Sequence, residues 1–296
     1  MSHLPNNSHA QPDNKGSAYP SPARQLARRW QNRRSSPGVK GLVGALIRRL
    51  HCWYTEVQVD QRRPDIRFVF MLSAMRSGSS MLSQVLCSHP SIVGFGETHI
   101  RYSRDEDFIE LIRRNMWADH RWRVRQVRYF EKILHAELIP DIELLSDMPI
   151  DWIVLRRSGE PCVQSMMRTF GMSAEHASAY FQRQWFVIDQ WVDCLLDKPE
   201  NTVIELSYES LLDQTDSTLA TVSTQLGLTP ELGSQFSVQK GTERDGAGDP
   251  SGNLSKGRIE RIKHDQVELS GEIKAQLAER DLLNEKIALK IRANHE

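Results

Sequence analysis

A short loop of small hydroxyl residues carries the first candidate chemistry in this sequence. Residues 76–80 read Arg-Ser-Gly-Ser-Ser and lie between an apolar run ending at Leu72 and an apolar pattern starting at Met81. Gly78 has no Cβ and allows a ligand to approach the backbone closely, while the guanidinium of Arg76 matches phosphate oxygens. A helix N-terminus also attracts anions. The loop is therefore a candidate phosphate cradle, although serines here also serve as ordinary helix N-caps.

The loop departs from the usual nucleoside-triphosphate motif. That motif needs Gly-x4-Gly-Lys-Ser/Thr. Here the first glycine is missing, and Ser79 and Ser80 replace Lys-Ser/Thr. An ATPase or kinase is therefore disfavoured. A P-loop nucleotide kinase or a nucleotide-binding regulator is kept as the alternative function.

An arginine and a serine eight residues apart form a second candidate site. In "IVLRRSGEPCVQSMM" (153–167), a strand is predicted to end at Arg157, and Ser165 falls on the helix that follows. Arg157 offers a bidentate grip on a phosphate, and Ser165 could point back to the same oxygens from the second turn of the helix. Taken singly, they are an ordinary surface Arg and helical Ser. Arg156 is an alternative, but its eighth neighbour is Gln164.

Together these motifs resemble those of the PAPS-dependent sulfotransferases, in their bacterial or carbohydrate-type form. "RSGSSML" is similar to the family's 5′-phosphosulfate loop, the Arg157–Ser165 pair to its 3′-phosphate motif, and "YESL" from Tyr208 to its strand-to-helix junction. The resemblance implies a P-loop-like nucleotide-binding core. It also implies transfer of a sulfuryl group from 3′-phosphoadenosine-5′-phosphosulfate (PAPS) to a hydroxyl or amine, without a metal.

The resemblance also implies which residues bind the donor. They are Arg76, Ser77, Gly78, Ser79, Ser80, Met81, Arg157, Ser165, Tyr208, Lys256, Gly257 and Arg258. The last three follow the order of the family's adenosine-covering Arg-Lys-Gly segment, but their spacing differs.

Two residues are candidates for the base that takes the acceptor's proton. Glu97, in "GFGETHI", follows the second predicted strand, where carbohydrate-type members carry a Glu base. His135 resembles the His of cytosolic members, but it lies three residues from Lys132 rather than two. Glu97 is favoured and His135 is second. Lys132 is expected to neutralise the leaving phosphate and Arg76 to hold the sulfate or 5′-phosphate oxygens, whereas the competing interpretation is that these are solvated residues at strand ends.

Alternating strands and helices must position these residues. Short apolar runs predict strands at 66–73, 91–96, 126–133, 151–157 and 202–208. Helices are predicted at 79–88, 104–117, 160–170, 173–197, 209–226 and 266–284. This alternation predicts an α/β three-layer αβα sandwich with a central, mainly parallel sheet, whose ligands bind beyond the carboxyl ends of the strands.

The N-terminal part differs from the rest in composition. Residues 1–50 hold nine basic residues and one acidic residue. We expect a disordered basic extension over 1–60, with an amphipathic helix at 38–54, followed by a sulfotransferase domain at 61–296. The favoured interpretation packs the helix on the domain through one apolar face, which carries Leu42, Leu46, Leu50 and Trp53. Peripheral contact of 24–54 with an anionic membrane is the less favoured alternative.

The overall charge balance and the cysteine content restrict the classes of partner and compartment that we expect. Lys+Arg and Asp+Glu are equal at 38 each, which gives no global field for nucleic acid. The four cysteines show neither metal-ligand spacing nor a disulfide framework, and no signal-type or membrane-spanning run is seen. A cytoplasmic enzyme is expected. Its acceptor, whether small molecule, carbohydrate or lipid-linked, is left open.

Overall fold

A parallel sheet forms the centre of the molecule. The computed structural model describes residues 49–59, 66–118, 127–139, 142, 145, 148, 150–198, 201–238, 253–261 and 266–294. Within these ranges, five strands pair in the order β2-β3-β1-β4-β5, and every neighbouring pair is parallel. The strands are β1 (Arg67–Ser73), β2 (Ile92–Val93), β3 (Arg128–Ile133), β4 (Ile150–Arg156) and β5 (Thr202–Ser207).

Helices connect and cover the strands. They are α1 (49–59), α2 (Ser79–Ser88), α3 (Glu106–Ala118), α4 (Gly159–Phe170), α5 (Ala174–Leu196), α6 (Tyr208–Asp213), α7 (Thr215–Gln225) and α8 (Gly271–Ala293). Serine side chains cap three of them by accepting a backbone N–H, namely Ser173, Ser207 and Ser270.

Two buried clusters lie on the two faces of the sheet. Along β1, Phe68 and Phe70 join one cluster, whereas Val69 and Met71 join the other, as the two-residue period of a strand requires. The first cluster includes side chains of α3, α4, α5 and α8, and the second includes side chains of α2, α6 and α7. The predicted α/β three-layer sandwich with a parallel sheet is confirmed.

Three predicted elements differ most from the structure. The second strand is limited to Ile92–Val93, and the chain then runs as a loop through Glu97. The helical stretch predicted at 209–226 is interrupted at Gln214, whose φ of −134° and ψ of 46° are not helical. Helix α8 continues to Ala293, past the predicted end at 284, because its last turns still bury apolar side chains.

Over its described residues, α1 packs through a different face from the one predicted. Leu50 and Trp53 are 56% and 62% exposed, so these two side chains of the predicted apolar face do not cover the domain. The buried stripe has the i, i+4, i+7 spacing of one helix face and consists of His51, Thr55 and Gln58. His51 meets Trp117 edge-on at 5.7 Å between ring centroids. Within this stripe, the Thr55 hydroxyl donates to the carbonyl of His51 at 2.7 Å, and burial lowers the pKa of His51.

Two predictions fall partly outside the described residues. These are the disordered basic extension at 1–60, of which the structure describes 49–59, and the first part of the 38–54 helix. Residues 49–296 form one compact unit. None of the helices in the described ranges is long and apolar enough to cross a membrane.

Candidate active site

The phosphate-type loop lies at the carboxyl end of β1 and leads directly into α2. Arg76 and Gly78 both have left-handed backbone, with φ of 66° and 89°. Gly78 is the N-cap of α2. A Cβ at Gly78 would lie 2.3 Å from Cδ2 of Tyr208, so only glycine fits beneath that ring. The loop thus brings its backbone against Tyr208, another of the predicted donor-binding residues.

Hydrogen bonds join the loop to the second motif. The Nε of Arg76 donates to Ser165 Oγ at 3.0 Å, and Nη1 of Arg157 donates to the carbonyl of Arg76 at 2.8 Å. The guanidinium carbon of Arg157 lies 4.1 Å from the ring centroid of Tyr208. The Nε of Arg157 is buried and has no hydrogen-bond partner among the described residues. The two motifs meet because β1 and β4 are parallel neighbours.

Arg156 and Arg157 have different surroundings. The Nε of Arg156 lies 2.7 Å from Glu205, and its Nη1 lies 2.9 Å from Glu285. These ion pairs tie β4 to β5 and α8. Arg156 is therefore committed to structural contacts, and the structure favours Arg157 over it as the candidate phosphate ligand.

The side chains of the loop make contacts in different directions. The Ser77 hydroxyl is buried against that of Ser73, which donates to the carbonyl of Leu155 at 2.7 Å. Ser79 is also buried. Ser80 accepts a hydrogen bond from Lys132 Nζ at 3.2 Å. Ser77 thus anchors the loop to the sheet, while Ser80 contacts the side chain of Lys132 on β3. Met81 is partly buried and packs against the second buried cluster, which includes side chains of α2, α6 and α7.

Lys132 reaches the loop from the other neighbour of β1. It pairs with Met71 in the parallel register of β1 and β3, and it is 3% exposed. Burial lowers the pKa of Lys132, whereas the nearby carboxylates of Glu97 and Glu131 raise it. The buried amine of Lys132 thus lies beside the loop that would hold an anion.

The two candidate bases lie side by side. Oε1 of Glu97 is 3.8 Å from His135 Nε2 and 3.4 Å from His99 Nδ1. This oxygen is buried and makes no hydrogen bond within the described residues. Burial raises the pKa of Glu97, whereas His135 and Lys132 lower it. Desolvation lowers the pKa of His99 to about 4, so this imidazole is neutral at pH 7.

Behind Glu97 lies a second buried carboxylate, Glu131, which was not among the site residues predicted from the sequence. Glu131 on β3 accepts hydrogen bonds from the Thr98 N–H at 2.9 Å, from the Thr98 hydroxyl and from the Tyr102 hydroxyl at 2.9 Å. One signal was available in the sequence. Glu131 interrupts the apolar residues of "RYFEKI", and a carboxylate on a buried strand must find hydrogen-bond donors.

The C-terminal trio has its own contacts. Lys256 and Arg258 both pair with Glu260. The carbonyl of Gly257 accepts the N–H of Phe236 at 2.8 Å. These contacts attach the segment to its chain neighbours and to the stretch around Phe236, so a donor-binding role for the trio stays a prediction.

Comparison with known proteins gives a likeness of fold. No family model and no curated protein matches the sequence. The sulfotransferase domain from the curacin biosynthetic pathway is 15% identical with a TM-score of 0.49, covering 72% of this chain and 96% of that domain. The sulfotransferase domain of the Synechococcus PCC 7002 olefin synthase is 15% identical with a TM-score of 0.47, covering 72% and 94%. Mouse sulfotransferase SULT7A1, complexed with PAP, is 17% identical with a TM-score of 0.41, covering 55% and 58%.

All three solved structures are named as sulfotransferases. At these identities and TM-scores the likeness assigns neither a donor nor an acceptor to this chain.

Proposed function

We propose that this chain transfers a sulfuryl group from PAPS to a hydroxyl or amine of an acceptor. One observation carries the proposal. Arg76 of the loop is hydrogen-bonded both to Ser165 and to Arg157, although they are 89 and 81 residues away in the sequence. Two candidate phosphate grips at one edge of the sheet suit a donor that is phosphorylated at both ends of its ribose.

The donor would engage both grips. Arg157 has a buried Nε without a partner among the described residues, and a 3′-phosphate could accept from it and from the Ser165 hydroxyl. The helix N-terminus at Ser79 and Ser80 would receive the 5′-phosphosulfate. In the ranges described, no three His, Cys, Asp or Glu side chains are arranged to hold a metal ion.

The proposed transfer uses the side chains around Glu97. The acceptor oxygen or nitrogen forms a bond to sulfur as the bond from sulfur to the phosphate oxygen breaks, and the acceptor proton passes to the unpartnered oxygen of Glu97. Lys132, at the loop, would stabilise the negative charge on the departing phosphate. His135, next to Glu97, would favour the ionised carboxylate.

The proposal is tested first by donor binding. Arg157→Ala is expected to weaken binding of 3′-phosphoadenosine-5′-phosphate (PAP) by about 2–5 kcal/mol, measured by calorimetry, because a charged hydrogen-bond partner is lost. Arg156→Ala is the matched control. It should keep PAP affinity but lower the Tm, because Glu205, a buried carboxylate, loses an ion pair. Unchanged PAP affinity in Arg157→Ala would contradict the assignment.

A ligand panel separates the proposal from the kinase alternative. PAP should raise the Tm without Mg²⁺, because the bound ligand stabilises the folded state. A shift only with ATP and Mg²⁺ would favour a kinase or nucleotide-binding regulator. Transfer of radiolabelled sulfate from PAPS to candidate small-molecule, carbohydrate and lipid-linked acceptors would then identify the substrate.

A further inference from the structure

A buried carboxylate lies behind the candidate base and takes no part in the proposed transfer. Glu131 is 1% exposed and lies on β3 next to Lys132. A carboxylate in such a place is costly unless hydrogen bonds satisfy it. The hydrogen bonds that the Glu131 carboxylate accepts therefore indicate its role.

The donors to Glu131 come mainly from the segment that carries Glu97. Oε1 accepts from the backbone N–H groups of Thr98 and Lys132 at 2.9 and 3.1 Å. Oε2 accepts from the hydroxyls of Thr98 and Tyr102. Three of these four donors belong to the loop between β2 and α3, so Glu131 holds that loop to the sheet.

Thr98 is fixed through each of its polar groups. Its N–H and its hydroxyl donate to Glu131, and its carbonyl accepts Nη1 of Arg114 at 2.5 Å. Arg114 is itself held by Glu110, with 2.6 Å between Nε and Oε1. Because Thr98 lies directly after Glu97, fixing its backbone restricts the direction in which the Glu97 side chain leaves the chain.

The backbone beyond Thr98 gives an independent sign of this restraint. His99 has a φ of 55°, a left-handed conformation that is strained for a residue other than glycine. Such a conformation persists where the surrounding contacts over-determine it. The bonds to Thr98 supply those contacts, and they keep His99 Nδ1 within 3.4 Å of Glu97.

We infer that Glu131 is a positioning residue that acts through Thr98 to aim the Glu97 carboxylate at the acceptor. This inference rests on the proposed role of Glu97 as the base. A group held by hydrogen bonds from behind keeps a productive geometry that side-chain freedom would otherwise lose, and displacement by about 1 Å can cost two orders of magnitude in rate.

A matched set of variants separates positioning from simple stabilisation. Thr98→Val removes the hydroxyl donor to Glu131 at nearly constant shape, and Thr98→Ser keeps it. Tyr102→Phe removes a different donor to the same carboxylate, further along the chain from Glu97. All three variants leave unchanged the residues that are proposed to bind PAPS and to take part in sulfuryl transfer.

Positioning predicts a specific pattern in sulfuryl transfer. Thr98→Val should lower kcat about 10- to 100-fold while PAP affinity stays within about twofold. Thr98→Ser should restore kcat to near the wild-type value. Tyr102→Phe should lower the Tm about as much as Thr98→Val but reduce kcat less. A wild-type kcat in Thr98→Val would overturn the inference, and so would parallel losses of kcat in Thr98→Val and Tyr102→Phe.

A second measurement does not depend on catalysis. The carboxyl carbon-13 signal of Glu97 reports its pKa in the free protein. Since burial is the largest cause that raises this pKa, Thr98→Val should move it toward the ordinary value, and Thr98→Ser should leave it in place. An identical Glu97 titration in wild type and Thr98→Val would overturn the inference even if sulfuryl transfer were observed. Lack of any PAPS-dependent transfer by the wild type would instead count against the proposed function alone.

Discussion

Glu97, Lys132 and Glu131 are three ionisable side chains that interact within one buried cluster. Burial raises the pKa of both carboxyls and lowers the pKa of the lysine, while the charges of the lysine and Glu97 oppose that effect on each other. Each group is therefore closer to a change of charge near neutral pH than it would be on the surface. Perturbed titration of this kind is common at functional sites.

The pH dependence of transfer should follow Glu97. A base must be ionised, so kcat should rise with pH through a pKa above the ordinary glutamate range, because burial raises the pKa of Glu97. Glu97→Gln should lower kcat by about 10²- to 10⁴-fold and leave PAP affinity intact. Initial rates from pH 5 to 9 test both points. If His135→Asn removed this pH dependence and Glu97→Gln did not, the base would be His135.

Glu131 should make folding stability depend on pH. Burial raises the pKa of Glu131 from 4.5 to about 7. Between these values the native state binds more protons than the unfolded state, so stability falls as pH rises. Glu131→Gln cannot ionise and should show a flatter Tm from pH 5 to 8. Parallel Tm profiles for wild type and Glu131→Gln would show that Glu131 does not titrate in this window.

At the scale of elements, the order of the strands assembles the site. Strand β1 lies between β3 and β4, so its loop receives Lys132 from one side and Arg157 from the other. The start of α6, after β5, brings Tyr208 over Gly78. Parallel strands place all these carboxyl ends at one edge, where ligands of open α/β sheets bind.

Gly78 provides an element-level test of this packing. Gly78→Ala is expected to weaken PAP binding and lower the Tm, because its Cβ would overlap the Tyr208 ring and its φ of 89° is strained for alanine. Gly96→Ala is a matched control. Gly96 has a φ of 117° but no atom within 4 Å of an added Cβ, so this variant reports strain without overlap. Equal PAP affinities in the two variants would mean that Tyr208 does not constrain the loop.

At the scale of the whole molecule, the N-terminal boundary can be placed by stability. The compact unit begins at Arg49, and α1 buries His51, Thr55 and Gln58. A fragment of residues 49–296 should therefore keep the Tm of the full chain, whereas a fragment of residues 61–296 should melt lower. Equal melting of the two fragments would support the sequence-based boundary at residue 60.

The membrane alternative can be tested on the same fragments. The basic residues of 24–49 and the exposed Leu50 and Trp53 are the features that an anionic bilayer would attract. Since this contact is not favoured, the full chain and the 49–296 fragment should both stay in the supernatant with vesicles containing anionic lipid. Sedimentation of the full chain alone would assign membrane contact to the basic extension.

Much of the architecture was predictable because each strand is a short apolar run and each helix has local start and stop signals. Ser79–Ser88 agrees with its prediction at both ends. The packing face predicted for α1 was wrong over the described residues. A helical pattern shows which residues are apolar, but not which surface of the domain the helix contacts. Glu131 was missed because its function depends on donors from Thr98 and Tyr102, about 30 residues away in sequence.

The amino-acid sequence by itself determined the α/β class, the phosphate-type loop and the eight-residue Arg157–Ser165 spacing, because these depend on local pattern and residue chemistry. Only the tertiary structure decided that Arg76 joins the two motifs, that Arg156 is committed to ion pairs and that Glu97 and His135 are neighbours. Contacts between residues far apart in the chain depend on strand order and register, which a local pattern does not specify.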